Sequence, residues 1–144
     1  MVYMGNPKII VCDCDGVLTD GRLNIDHTGT KMFKSFHTKD VRAIREFIAN
    51  GYEFYIVSCD DYGAKAFAEK VGAVFIELRD KSKVRDYVPG PFICIGDDAW
   101  DLPMMDRATI AFRPKDADSS VVHYRPFTVN GGHGVVAELA TILL

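Results

Sequence analysis

Five short apolar runs divide the chain, at 9–12 (IIVC), 53–58 (EFYIVS), 73–76 (AVFI), 92–95 (FICI) and 109–112 (TIAF). Runs of this length without strict alternation suit strands buried on both faces, as in a parallel sheet. Between them the spacing turns helical. One segment opens near Thr38 or Asp40, places Val41, Ile44, Phe47 and Ile48 on one face, and stops at Asn50-Gly51. The next runs from Asp61 through Ala64, Phe67, Ala68 and Val71 to Gly72, and a closing helix carries Val135, Val136, Leu139, Ile142 and Leu143. This alternation predicts a doubly wound, mainly parallel, Rossmann-like α/β sheet whose ligands bind beyond the C-terminal ends of the strands.

One stretch departs from the alternation. Residues 22–37 (RLNIDHTGTKMFKSFH) hold two period-two runs around His27-Thr28-Gly29-Thr30, which predicts a β-hairpin flap beside the site. The loops expected at Pro89-Gly90-Pro91 and Asn130-Gly131-Gly132-His133-Gly134 complete a single domain over 1–144.

Composition narrows the class. A chain of 144 residues, 48% hydrophobic and 26% charged, is that of a globular domain able to bury roughly 68–70% of its unfolded surface. The net charge of −3 provides no general attraction to nucleic acid or an anionic membrane. No apolar run reaches membrane-span length and the first residues lack a signal-like apolar core, so the expected location is the cytoplasm. Cys12, Cys14, Cys59 and Cys94 lie in or beside apolar runs, as small buried hydrophobes do in a reducing compartment. No second close pair or suitably spaced histidine makes them a zinc site.

The strand ends carry the chemistry. Asp13-Cys14-Asp15-Gly16 closes the first run, and two carboxylates so close repel each other unless a cation lies between them. Ser58 ends the second run, in place to donate its hydroxyl to a phosphoryl oxygen. Lys81 follows the third and starts a helical stretch. Gly96-Asp97-Asp98 ends the fourth, with Asp101 one turn further. Singly these are ordinary surface residues; on successive strand ends they form the parts of a phosphoryl-transfer site.

In this order the residues resemble the haloacid dehalogenase superfamily, whose phosphatases carry DxD, then Ser or Thr, then Lys, then GDxxxD. The resemblance implies that Asp13 is the nucleophile and forms an aspartyl-phosphate, while Asp15 is the general acid and base. It implies that Asp13, the Asp15 carbonyl and Asp97 hold Mg²⁺, that Ser58 and Lys81 hold the phosphoryl oxygens, and that Asp98 and Asp101 are supporting acids. An acid at Asp15 suits an alkoxide leaving group, which disfavours dehalogenation.

Only 44 residues separate Asp13 from Ser58 and 15 separate Lys81 from Asp97, so neither interval holds a cap domain. The chain is accordingly similar to the capless sugar-acid phosphatases acting on 3-deoxy-D-manno-octulosonate 8-phosphate and on nonulosonate 9-phosphates. The resemblance rests on the stretch from Asp15 to Gly21, the hairpin, Phe36 to Asp40, and Gly131-Gly132-His133-Gly134-Val135 before Glu138. It implies a homotetramer with shared sites, in which Gly131, Gly132 and His133 of one subunit close a neighbour's site. Cys59 and Asp60 stand next to Ser58 as candidate substrate contacts, and His37, Lys39 and Arg42 as candidate partners of a substrate carboxylate. The chain departs from these relatives at Asp40-Val41-Arg42-Ala43, at His133 and Ala137, and in the short interval from Lys81 to Gly96. The alternatives are a phosphatase of another small ester, or a domain of the same fold that serves only in assembly or regulation.

Overall fold

The computed structural model describes residues 7–144; residues 1–6, where a signal-like core was not expected, lie outside the described residues. Six parallel strands form one sheet in the order β3-β2-β1-β4-β5-β6. They are β1 (Ile9–Asp13), β2 (Glu53–Ser58), β3 (Val74–Glu77), β4 (Ile93–Ile95), β5 (Ile110–Arg113) and β6 (Arg125–Pro126). The two-residue β6 pairs with β5 and was not expected from sequence, because a run that short containing proline carries no strand pattern.

Every residue of β1 is buried, as a central strand covered on both faces requires. Ile10 and Cys12 enter a core shared with Ile44, Phe47 and Leu139, while Ile9 and Val11 enter a second core with Val84, Met104 and Val121. Burial pushes the Cys12 and Cys94 thiols well above the ordinary cysteine value, so both behave as small apolar side chains.

Helix α1 (Thr38–Ala49) starts where expected, with His37 Nδ1 accepting from the Lys39 amide at 3.1 Å. Helix α2 (Ala64–Val71) starts three residues later than expected. The Asp60 carboxylate accepts from the Tyr62 amide at 3.1 Å, forming a local turn that postpones the first helical residue. The stretch after Lys81 is a 3₁₀ turn, Lys81–Asp86, capped by Asp80. A short α3 (Leu102–Met105) and the closing α4 (Val135–Leu143) complete the helices. The fully buried Asp40 of α1 accepts from the Ala137 amide at 3.0 Å, so one helix supplies the acid at the positive end of the other.

The segment 22–37 forms less sheet than expected. It makes one antiparallel bridge, Ile25 to Lys31, tightened by Met32 N donating to Asn24 O at 2.8 Å. Leu23, Ile25, Met32 and Phe33 are all exposed, and a two-stranded ribbon without a buried face has little to hold its ladder together. Phe36 anchors its end by stacking on Phe67 of α2, ring centroids 3.8 Å apart.

β1 lies between β2 and β4, so successive crossovers leave it in opposite directions. That switch point puts the C-terminal ends of β1, β2 and β4 around one crevice.

Candidate active site

Asp13 is the last residue of β1 and almost fully buried. Lys81, 4% exposed, reaches it from the turn after β3: its Nζ lies 3.0 Å from Asp13 Oδ1 and 2.5 Å from Asp101 Oδ1. The other oxygen of the fully buried Asp101 accepts from the Asp97 amide at 2.8 Å and the Asp98 amide at 3.4 Å. Both Asp101 oxygens are therefore engaged within the protein, and this acid ties Lys81 to the loop after β4.

Asp13, Asp97 and Asp101 each offer a carboxylate oxygen within 4.8 Å of the others. Asp97 Oδ1 is buried without a hydrogen-bond partner among the described residues. Burial first, then the Asp101 charge, push the Asp13 carboxyl up to about 7 in spite of Lys81. Burial and then Asp13 push Asp97 up as well, so without a cation the pair retains a proton. Two hard oxygen donors, one orphaned and both forced towards protonation, suit a divalent cation. Asp101, already bonded on both oxygens, is left as a second support behind Asp13 and Asp97.

The backbone around the pair depends on glycine. Gly16 has φ +86°, and a Cβ there would collide with the Asp97 carboxylate. Gly131 packs against the same turn, where a Cβ would collide with the Gly16 carbonyl oxygen, and the Gly132 amide donates to Val17 O at 2.9 Å.

Asp15, two residues past Asp13, is exposed. Lys34 Nζ lies 2.9 and 2.7 Å from its two oxygens, and the Thr19 hydroxyl donates to it at 3.2 Å. Burial alone would lower the Lys34 pKa, but the hydrogen bond to Asp15 and the negative charges around it, Asp15 and Asp60 among them, together outweigh burial and the net shift is upward. A residue of segment 22–37 thus orients Asp15.

A cavity of about 300 Å³ is lined by Asp13, Asp15, Ser58, Cys59, Asp60, Lys81 and Asp98, together with Arg79 and Trp100. Seven residues singled out from sequence therefore meet in one place. Gly131, Gly132 and His133 do not line this cavity; they pack on the turn behind it, with His133 Nδ1 2.9 Å from Gly131 O. His37, Lys39 and Arg42 are also absent from its lining. Lys34, Arg79 and Trp100 escaped the sequence reading. Lys34 is one of several lysines on a polar stretch and carries no local mark, whereas Trp100 is the chain's single tryptophan, beside the Asp97-Asp98 pair, and that was a usable signal.

No protein-family model matches the chain. It is 30% identical over 157 aligned residues to the 3-deoxy-D-manno-octulosonate 8-phosphate phosphatase of Haemophilus influenzae, covering 96% of this chain and 83% of that protein. The chain belongs to the 3-deoxy-D-manno-octulosonate 8-phosphate phosphatase family. Its fold agrees: the cobalt-bound structure of the Haemophilus influenzae phosphatase superposes with TM-score 0.88 at 26% identity, covering 96% of this chain and 88% of that one. A haloacid dehalogenase superfamily hydrolase from Legionella pneumophila superposes at 0.85 with 28% identity, covering 95% and 81%. Membership in this family makes the chain a phosphoric monoester hydrolase of the haloacid dehalogenase superfamily, a class served by a divalent cation. Among the described residues no helix is long and apolar enough to cross a membrane.

Proposed function

We propose that this chain is a magnesium-dependent, capless, single-domain phosphomonoesterase acting on a phosphorylated sugar acid of the 3-deoxy-octulosonate 8-phosphate or nonulosonate 9-phosphate type. The observation that carries the reading is the Asp13 carboxylate, held between Lys81 and the Asp97 oxygens at the floor of a cavity whose rim presents Asp15.

In the first step an Asp13 oxygen bonds to phosphorus as the phosphorus–oxygen bond to the sugar breaks, and protonated Asp15 gives its proton to the leaving alkoxide. In the second, Asp15 carboxylate takes a proton from water, whose oxygen bonds to phosphorus and releases phosphate and Asp13. Ser58 and Lys81 hold the phosphoryl oxygens; Lys81 also offsets the charge on Asp13 beside the incoming negative charge. Asp13, Asp97 and the Asp15 carbonyl would hold Mg²⁺, which when bound supplies positive charge to the phosphoryl group.

With Mg²⁺ the purified protein is expected to release phosphate from a generic aryl phosphate, and faster from sugar-acid phosphates than from hexose or nucleotide monophosphates. Chelation should stop turnover on all of them. Mg²⁺-independent turnover, or a nucleotide or hexose ester as the best substrate in a phosphate-release screen, would contradict this reading.

The raised Asp13 pKa gives the metal a pH signature. A carboxyl at about 7 in the folded chain, against roughly 3.9 unfolded, favours folding below the lower value. The chelated protein therefore loses that stability as pH rises through about 7. Mg²⁺ displaces the proton, so its rise in melting temperature should be larger at pH 8 than at pH 6. Equal shifts in a calorimetric scan at both pH values would argue against Asp13 as a ligand.

The chain is further proposed to assemble as a homotetramer in the cytoplasm. The exposed Leu23, Ile25, Met32 and Phe33 on one segment support this, being an apolar surface that a second copy would cover. Light scattering should give four times the 16.0 kDa chain mass; a monomer at micromolar concentration would refute the assembly.

A further inference from the structure

The charges around the cavity are nearly all accounted for by partners within the chain. Lys81 is held by Asp13 and Asp101, Asp15 by Lys34, and Asp60 by Lys31 at 3.3 Å. Asp98 Oδ1 accepts from the Trp100 amide at 2.9 Å. Arg79 is the exception. It lines a cavity that also presents four carboxylates, yet among the described residues it makes no ion pair and no side-chain hydrogen bond. It stands two residues before Lys81 on the loop leaving β3, so the same short segment supplies the cation that meets Asp13 and an uncommitted one.

Trp100 shares the lining and is 73% exposed. It stands two residues after Asp98, on the turn leaving β4. A phosphate group needs neither residue, since Ser58 and Lys81 line the cavity together with Asp13, which would also hold the cation. A guanidinium suits a carboxylate through two parallel hydrogen bonds, and an indole face suits the carbon face of a sugar chain.

We propose that Arg79 is the specificity-determining residue of this phosphatase, binding a carboxylate on the substrate portion beyond the phosphate, with Trp100 covering the carbon chain between the two anions. This rests on the phosphatase reading above and names what the site recognises besides phosphate. The enzyme thereby selects esters that carry a second anion, because an ester without one leaves Arg79 unpaired.

The test uses two esters of equal carbon length, 6-phosphogluconate and sorbitol 6-phosphate, which differ only in a carboxylate against a hydroxymethyl group. The wild-type protein with Mg²⁺ should prefer the acid by about tenfold or more in kcat/KM, as expected for hydrogen bonds to a charged group. Arg79→Gln should bring the ratio close to one by raising KM for the acid far more than for the sorbitol ester. Arg79→Lys should restore part of the preference, since it keeps the charge and loses the fork. Trp100→Ala should raise KM for both esters severalfold.

Arg79 is exposed and unpaired, so these variants should melt with the wild type. A preference unchanged by Arg79→Gln, an equal loss on both esters, or a wild-type protein indifferent to the carboxylate would each overturn the assignment while leaving the phosphatase intact. Absence of turnover on every ester would instead remove the phosphatase reading, and this inference with it.

Discussion

Asp13→Asn is expected to lower Mg²⁺-dependent phosphate release by at least about 10⁴-fold, as loss of a group that forms the covalent intermediate does. The amide oxygen can still accept from Lys81, so the fold should persist. The carboxylate that bonds to phosphorus is gone, and with it one charge that draws the cation. Stability should move the opposite way in the chelated protein. Burial and the Asp101 charge disfavour the Asp13 anion, so the neutral amide should raise the unfolding midpoint above wild type at pH 8 in EDTA. This is the trade between activity and stability expected where repelling charges serve chemistry. Steady-state kinetics and urea unfolding on one preparation check both halves. Activity within tenfold of wild type would exclude Asp13 as the nucleophile.

Lys81→Met is expected to cost about 3–5 kcal/mol of stability at pH 8, as removal of one partner from a buried ion pair does. The ammonium is 4% exposed and lies between two carboxylates that have no other counter-ion among the described residues. Burial by itself would push its pKa down, but the Asp13 and Asp101 charges outweigh burial and hold it above the ordinary lysine value. For a base with a raised folded pKa, the stabilisation is complete below the unfolded value of roughly 10.4 and is lost only as pH rises through the folded one. The Lys81 ammonium is thus fully charged at neutral pH.

In the variant Asp13 can escape repulsion from Asp101 only by taking up a proton. The loss should therefore shrink as pH falls from 8 towards 5, and Lys81→Met combined with Asp101→Asn should recover part of it. Denaturant titrations of the single and double variants at the two pH values measure this. A single-variant loss under about 1 kcal/mol would show that Lys81 does not carry the charge balance of the site. Activity should also fall, because Lys81 both orients Asp13 and faces the phosphoryl group.

The legible part of this molecule was local. Residues 9–12 read as a buried parallel strand because a strand covered on both faces needs apolar residues at every position. Asp13, Ser58 and Asp97 read as site residues because a strand end is where a buried run first admits polar groups. The segment from Thr38 or Asp40 to Asn50 read as a helix because its apolar stripe and its Asn50-Gly51 stop are within one another's reach. By contrast, segment 22–37 had the alternation of a hairpin but formed a single bridge, since alternation specifies a ladder only when one face is buried.

By itself, then, the sequence determined the order of β1 to β5 with α1, α2 and α4, the parallel sheet and which acids, hydroxyl and lysine stand at its C-terminal edge. The tertiary structure alone decided how they are connected: Asp101 bonded on both oxygens rather than open, Lys34 holding Asp15, Gly131 packed on Gly16, and Arg79 and Trp100 completing the cavity. The physical reason is range. Burial pattern and capping act over a few residues and leave a local mark, whereas a contact such as Lys81 with Asp13, 68 positions apart, depends on strand register and loop path. Neither partner's neighbours encode that path.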